Sequence, residues 1–173
     1  AFHESHRHAE DARLIFDDVE RFWKAYDLAA VADNPARKAA IFREHYLAPG
    51  TPGLIDYHWL KIHSMERMVE RIEKSRGYYD GIRERSLSAK SFVSVIRDGL
   101  RRFMALYPEA SAPDVTFVIG RMSSGGTAGQ TGMLIALVLS VGMNAFAYWN
   151  SDKMVLSMHG ARQIDRAASP EFH

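Results

Sequence analysis

Residues 132–149 read GMLIALVLSVGMNAFAYW, an apolar run broken only by glycines, Ser140 and Asn144. No charged side chain occurs between Arg121 and Asp152. A helix rises about 1.5 Å per residue, so a run of this length crosses most of a hydrocarbon core about 30 Å thick. In lipid every backbone N–H and C=O needs an internal partner, and a helix provides one. Tyr148 and Trp149 stand where amphipathic rings favour the membrane interface, and Asp152 and Lys153 follow directly. The run therefore predicts a membrane-spanning helix over 132–150. The competing reading is a helix buried inside a soluble domain.

Outward from this segment the composition is that of a globular protein. The chain has 173 residues, 47% hydrophobic and 25% charged, which allows one ordinary domain plus an anchor. The formal net charge of +1 argues against a dedicated nucleic-acid binder, which needs a clear basic excess. With no cysteine, disulfides, thiolate zinc sites and cysteine nucleophiles are excluded. The start, AFHESHRHAED, is polar and has no signal-peptide character.

Most charges precede Met122, in a portion patterned for helices. Ile15, Val19, Phe22, Tyr26 and Ala29 fall on one helical face, with Asp17, Asp18, Glu20 and Lys24 opposite. Asn34-Pro35 caps a second helix running through Ile41, Phe42 and Tyr46 to the turn Pro49–Gly53. Thr51-Pro52 can cap a third, whose stripe is Leu54, His58, Ile62, Met65, Val69 and Ile72. Gly77 and Gly81 are expected to loosen the chain. A fourth helix then turns Phe92, Ile96, Leu100, Phe103 and Tyr107 inward. Residues 114–119, β-branched and bounded by Pro113 and Gly120, predict a strand. The loop 123–129 reads as flexible.

Four groups of residues have the chemistry of a site. His3, His6 and His8, with Glu4, are a dense set of metal-ligand types, although placed on a terminus. His3-Glu4-Ser5-His6 is one residue short of His-Glu-x-x-His, which alone sets both imidazoles at i and i+4. His58 and His63 diverge around a helix; His63, Glu66 and Glu70 could converge at i, i+3 and i+7. The simpler reading of these acids is a solvated face paired with Arg67, Arg71 and Lys74. The Ser123–Gly129 loop suggests phosphate cradling but lacks the Gly-Lys-Ser/Thr ending of a nucleotide loop. Ser123 and Ser124 have no evident His–acid pair to make either a nucleophile. Lys153, Arg162 and Arg166 follow the apolar run, and Arg101, Arg102 and Arg121 precede it, a bias too small to set orientation.

Two resemblances bear on function. Residues from about Phe16 to Thr127 resemble a family of predicted zinc-dependent proteases related to the gliding-motility lipoprotein GldB. They do so through Asp18–Asp27, through Tyr46 with Pro49–Leu54, through Leu106–Pro108 and through Phe117–Thr127. Residues from about Gly132 to Phe172 resemble the amino-terminal membrane region of the HtpX-type zinc proteases. Here the likeness lies in Gly132–Val138, Met143–Phe146, Tyr148–Leu156, His159–Ala161 and Ser169–Phe172. The second resemblance implies that 132–149 is that family's second membrane helix. It also implies a bacterial inner-membrane location, with the amino-terminal portion outside the cytoplasm and the tail inside. Both resemblances imply zinc, yet neither carries over a catalytic residue, because no His-Glu-x-x-His occurs in the sequence. No metal ligand and no cofactor-binding residue are assigned either. The join at the glycine stretch also fits a chimera.

The expectation is thus a mainly α protein. It has an amphipathic helical domain over 1–121 with one short strand, a Gly/Ser-rich linker over 122–131, a membrane-spanning helix over 132–150 and a polar tail over 151–173. The expected function is a fragment or non-catalytic relative of a bacterial membrane-associated zinc metalloprotease. The lipid bilayer and a protein partner or substrate are its expected contacts, and nucleic acid is not. Alternatives are a membrane-tethered helical interaction module, or a soluble helical domain that buries the apolar helix and binds metal at its His-rich start.

Overall fold

Helices form where the sequence supplies caps and an apolar stripe, and they pack as a layer on a small sheet. The computed structural model describes residues 5–6, 8–123, 125–130 and 132–136. Strand β1 (Ser5–His6) pairs antiparallel with β3 (Ala112–Pro113). Strand β2 (Leu14–Ile15) lies parallel to β4 (Val115–Val118), with Leu14 opposite Val115. Between β2 and β4 the chain makes its helices. They are α1 (Asp17–Ala30), α2 (Pro35–Phe42), α3 (Pro52–Tyr57), α4 (Met65–Lys74), α5 (Arg76–Leu87) and α6 (Val93–Leu106). Two π-helical turns, Arg43–Leu47 and His58–Ile62, extend α2 and α3.

The caps follow the sequence. Asn34 accepts from the Arg37 N–H at 2.9 Å, with Pro35 in the first turn. Thr51 Oγ1 accepts from the Leu54 N–H at 3.3 Å, and Ser64 from the Arg67 N–H at 3.2 Å. Helix α1 has no side-chain cap but opens with Asp17, Asp18 and Glu20, which suit the positive end of its dipole. Its buried Val19, Phe22, Trp23, Tyr26 and Ala29 form one stripe. Phe22 sits amid rings: Trp23 at 4.9 Å, Tyr46 at 5.4 Å, Phe42 at 5.6 Å and Tyr79 at 6.0 Å between centroids. On the sheet side Phe16 stacks on Phe117 at 4.3 Å.

The structure changes several sequence expectations. Instead of one strand, β4 belongs to a four-stranded sheet ordered β2-β4-β6-β5. Strand β5 (Gly126–Gly129) occupies part of the expected flexible loop, and β6 (Gly132–Ala136) the start of the expected membrane helix. Strand β6 runs parallel to β4, from Val115↔Met133 to Val118↔Ala136, and antiparallel to β5. A short apolar run beside glycines suits an interior strand as well as a helix, and periodicity alone does not separate the two. Gly132 has φ +129°, and a Cβ there would lie 2.3 Å from the Asp114 carbonyl oxygen. That carbonyl accepts from the Met133 N–H at 2.9 Å and so opens the β4–β6 pairing. Among the described residues no helix is long and apolar enough to cross a membrane; 137–150 of the expected span, and the 151–173 tail, lie outside them.

Three helical expectations also change. The expected third helix is broken at His63, whose φ of 68° ends the turn His58–Ile62 before Ser64 caps α4. Phe92, Phe103 and Tyr107 are exposed, not inward; on α6 only Leu100 is buried. Gly77 and Gly81 do not interrupt the chain but lie inside α5. No atom stands within 4 Å of where a Cβ would sit at Gly81, so glycine there carries only its entropic penalty in a helix. Replacing Gly81→Ala should raise unfolding stability by about 0.5–1 kcal/mol, read as a higher urea midpoint at unchanged slope.

Candidate functional site

Among the described residues, buried phenols and backbone groups meet where β4 leaves the sheet. Beyond Val118 the ladder to β6 ends, while Ile119 and Gly120 remain buried. Their backbone groups find phenols instead of strand partners. Tyr46 Oη donates to the Ile119 carbonyl at 2.9 Å and accepts from its N–H at 3.2 Å. Tyr79 Oη donates to the Gly120 carbonyl at 2.8 Å. Tyr57 packs so closely that a Cβ on Gly120 would lie 2.8 Å from its hydroxyl. Arg121 Nε then donates to the carbonyls of Lys61 and Ile62, each at 3.0 Å, and Ser123 Oγ to that of Lys61 at 3.2 Å. The segment after β4 is thereby tied to the end of the second π-helical turn.

Burial dominates the acidity of these phenols. It raises Tyr57 to about 12, against the effect of its Ser123 hydrogen bond. Burial also pushes Tyr79 up, and it pushes Tyr46 up with the Asp18 charge adding to the effect. All three are hydrogen-bonding groups locked in neutral form, suited to holding backbone and not to proton transfer near neutrality.

Asp18, expected on the outer face of α1, is fully buried. It accepts from the Thr51 N–H at 3.2 Å, from the Thr51 hydroxyl and from Arg21 Nη1 at 2.8 Å. Its position was legible in principle: Asp18, Phe22, Ala25 and Ala29 follow the i, i+4, i+7, i+11 stripe. Tyr46, Tyr57, Tyr79 and Arg121 carried no such signal, because their partners, backbone groups for three of them and Ser123 for Tyr57, are distant in sequence.

The residues singled out by sequence do not assemble. His63 precedes α4, so it cannot share a helical face with Glu66 and Glu70. Glu66 pairs with Arg43, and Glu70 with Lys74 at 2.6 Å. His58 is buried, and its Nδ1 has no hydrogen-bond partner. Burial, with His63 and Arg43 nearby, holds its pKa below the ordinary 6.5. His6 lies in β1 and His8 is exposed, whereas His3 and Glu4 lie outside the described residues. Ser123 bonds backbone, and Ser124 lies outside. The Gly126–Gly129 backbone is engaged in the β5–β6 ladder instead of forming a phosphate cradle. Lys153, Arg162 and Arg166 lie outside the described residues.

A catalytic zinc needs three protein ligands meeting about 2 Å from one point. Among the described residues no three His, Asp or Glu side chains converge in this way. The orphaned imidazole of His58 has a cation, Arg43, as its neighbour. Zinc does not fit these residues.

Comparison with known proteins bears on one portion only. No family model matches the chain, and no solved structure matches it. A curated protease HtpX homolog from Methylibium petroleiphilum is 56% identical over 45 residues. The match covers 26% of this chain and 16% of that protein. It supports the HtpX-type resemblance. The GldB-like resemblance of the helical portion gains nothing from these comparisons.

Two pH effects follow. Tyr57 is neutral in the fold up to about 12, while an unfolded tyrosine ionises near 10.0. Its contribution to stability is therefore complete below pH 10 and lost as pH rises toward 12. Urea midpoints should fall over that interval, and Tyr57→Phe should reduce the slope. For His58, whose folded pKa is depressed, the unfolded chain takes up the proton first. Stability is complete above about pH 6.5 and declines below it; His58→Leu should flatten that acid limb in the same titration.

Proposed function

We propose that this chain is a fragment or non-catalytic relative of a bacterial membrane-associated zinc metalloprotease, attached to the bilayer through its apolar run. The observation that carries this reading is the 56% identity over 45 residues with a protease HtpX homolog. Zincin chemistry needs two histidines one helical turn apart, a glutamate beside them as base and a third ligand. None of the eight histidines in the sequence has another at i+4, and the described side chains converge on no metal. The apolar run from Leu137 to Trp149 supports attachment to a bilayer.

A second reading, a helical interaction module, is favoured by α6 and its entry turn. Phe92, Val95, Phe103, Leu106 and Tyr107 are all exposed there, and grouped exposed apolar side chains mark contact surfaces.

Purified protein incubated with casein and zinc should release no peptide, and chelator-sensitive turnover would refute the non-catalytic assignment. Expressed in a bacterium, the chain should sediment with membranes and resist an alkaline wash. Recovery as a monodisperse species in plain buffer would remove the membrane part and leave the interaction module as the better reading.

A further inference from the structure

Helix α4 carries Arg67, Arg71 and Lys74 at i, i+4 and i+7, three cations on one face. Like charges at i, i+4 work against a helix, so Arg67 and Arg71 need an offsetting partner. Of the acids of the same helix only Glu70 acts on both, and its hydrogen bond goes to Lys74. Glu66 pairs with Arg43, and Glu73 with Lys38 at 2.9 Å and Arg76 at 3.1 Å. Glu70 is taken by Lys74 at 2.6 Å. Arg67 and Arg71 form no ion pair among the described residues.

A third guanidinium arrives from elsewhere in the fold. Arg121, in the segment after β4, is fixed through Nε by the Lys61 and Ile62 carbonyls. This uses one donor of the guanidinium, and Arg121 lines the same space as the α4 cations. Arg67, Glu70, Arg71, Lys74 and Arg121 line a concavity of about 200 Å³. With Lys74 and Glu70 neutralising one another, three guanidinium groups remain around it. Planar guanidinium forks match the oxygens of a phosphate in pairs, and their charge strengthens each hydrogen bond.

We propose that this concavity between α4 and Arg121 is a phosphate-binding site. The ligand is either a small phosphorylated molecule or the headgroup of a phosphomonoester lipid. The site is independent of the metalloprotease relationship, since it is built from the helical portion and needs no metal.

The full chain would be titrated calorimetrically with inorganic phosphate and pyrophosphate at fixed ionic strength. It would also be sedimented with phosphatidylcholine vesicles containing or lacking phosphatidic acid. Saturable binding of either probe is expected, weakened about tenfold or more in the Arg67→Gln/Arg71→Gln double variant. An Arg85→Gln/Arg102→Gln variant removes the same charge from other exposed positions and should bind as the parent does. Phosphate binding without vesicle binding identifies a soluble ligand. Vesicle binding that inorganic phosphate displaces identifies a headgroup. The proposal is overturned if neither probe binds saturably, or if the double variant, with an unchanged urea midpoint, binds as well as the parent.

Discussion

A strand that ends inside the protein leaves peptide groups that water cannot reach, and each left unpaired costs about 1–3 kcal/mol. Strand β4 is such a strand. All four of its residues are buried, and its ladder stops one residue before Ile119. The phenols of Tyr46 and Tyr79 take over the role of the missing strand partners. They come from different places: Tyr46 from the turn that extends α2, Tyr79 from α5. Satisfying one strand end thereby fixes where two helical elements stand, and Tyr57, closing α3 against Gly120, adds a third.

Charged groups perform the same service at the other end of the strand and across the helices. Asp114, just before β4, accepts from the Arg13 N–H at 2.8 Å and from its guanidinium at 2.6 and 2.9 Å. These bonds set the register of β2 on β4. Buried Asp18 holds the residue that caps α3, so α1 and α3 are placed by one carboxylate. A carboxylate taken from water needs several donors at once, and Asp18 has them from Thr51 and Arg21. The aromatic cluster around Phe22 fills the space that these polar ties define.

What was legible in the sequence was what local rules decide. Asn34-Pro35 and Thr51-Pro52 cap helices because capping needs only neighbouring residues, and Val115–Val118 is β-branched and bounded by Pro113 and Gly120. The misreadings arise where distant groups decide. Asp18 points inward because Thr51 and Arg21 can serve it, and the break at His63 depends on a π-helical turn that apolar spacing does not reveal. Gly77 and Gly81 tolerate a helix because nothing crowds them, and Gly132–Ala136 is a strand because β4 and β5 lie on either side. The basic concavity was hidden for a related reason. On α4 alone, glutamates alternate with arginines and suggest mutual neutralisation; only Arg43, Lys38 and Arg76, arriving from other segments, draw Glu66 and Glu73 away.

The parallel pairing of β2 with β4 has a consequence for how the chain is made. Arg13 and Asp114, which lock that pairing, are 101 residues apart, and every helix from α1 to α6 is synthesised between them. At about 5–20 residues per second a ribosome takes on the order of 5–20 s to cover that distance. During that interval Leu14 and Ile15 have no strand beside them. The helices can collapse around Phe22 while the nascent chain waits, but the sheet cannot start until its second strand emerges. Contacts this remote in sequence close slowly, so the aromatic helical layer is the part able to assemble first, as a surface on which the sheet is later completed.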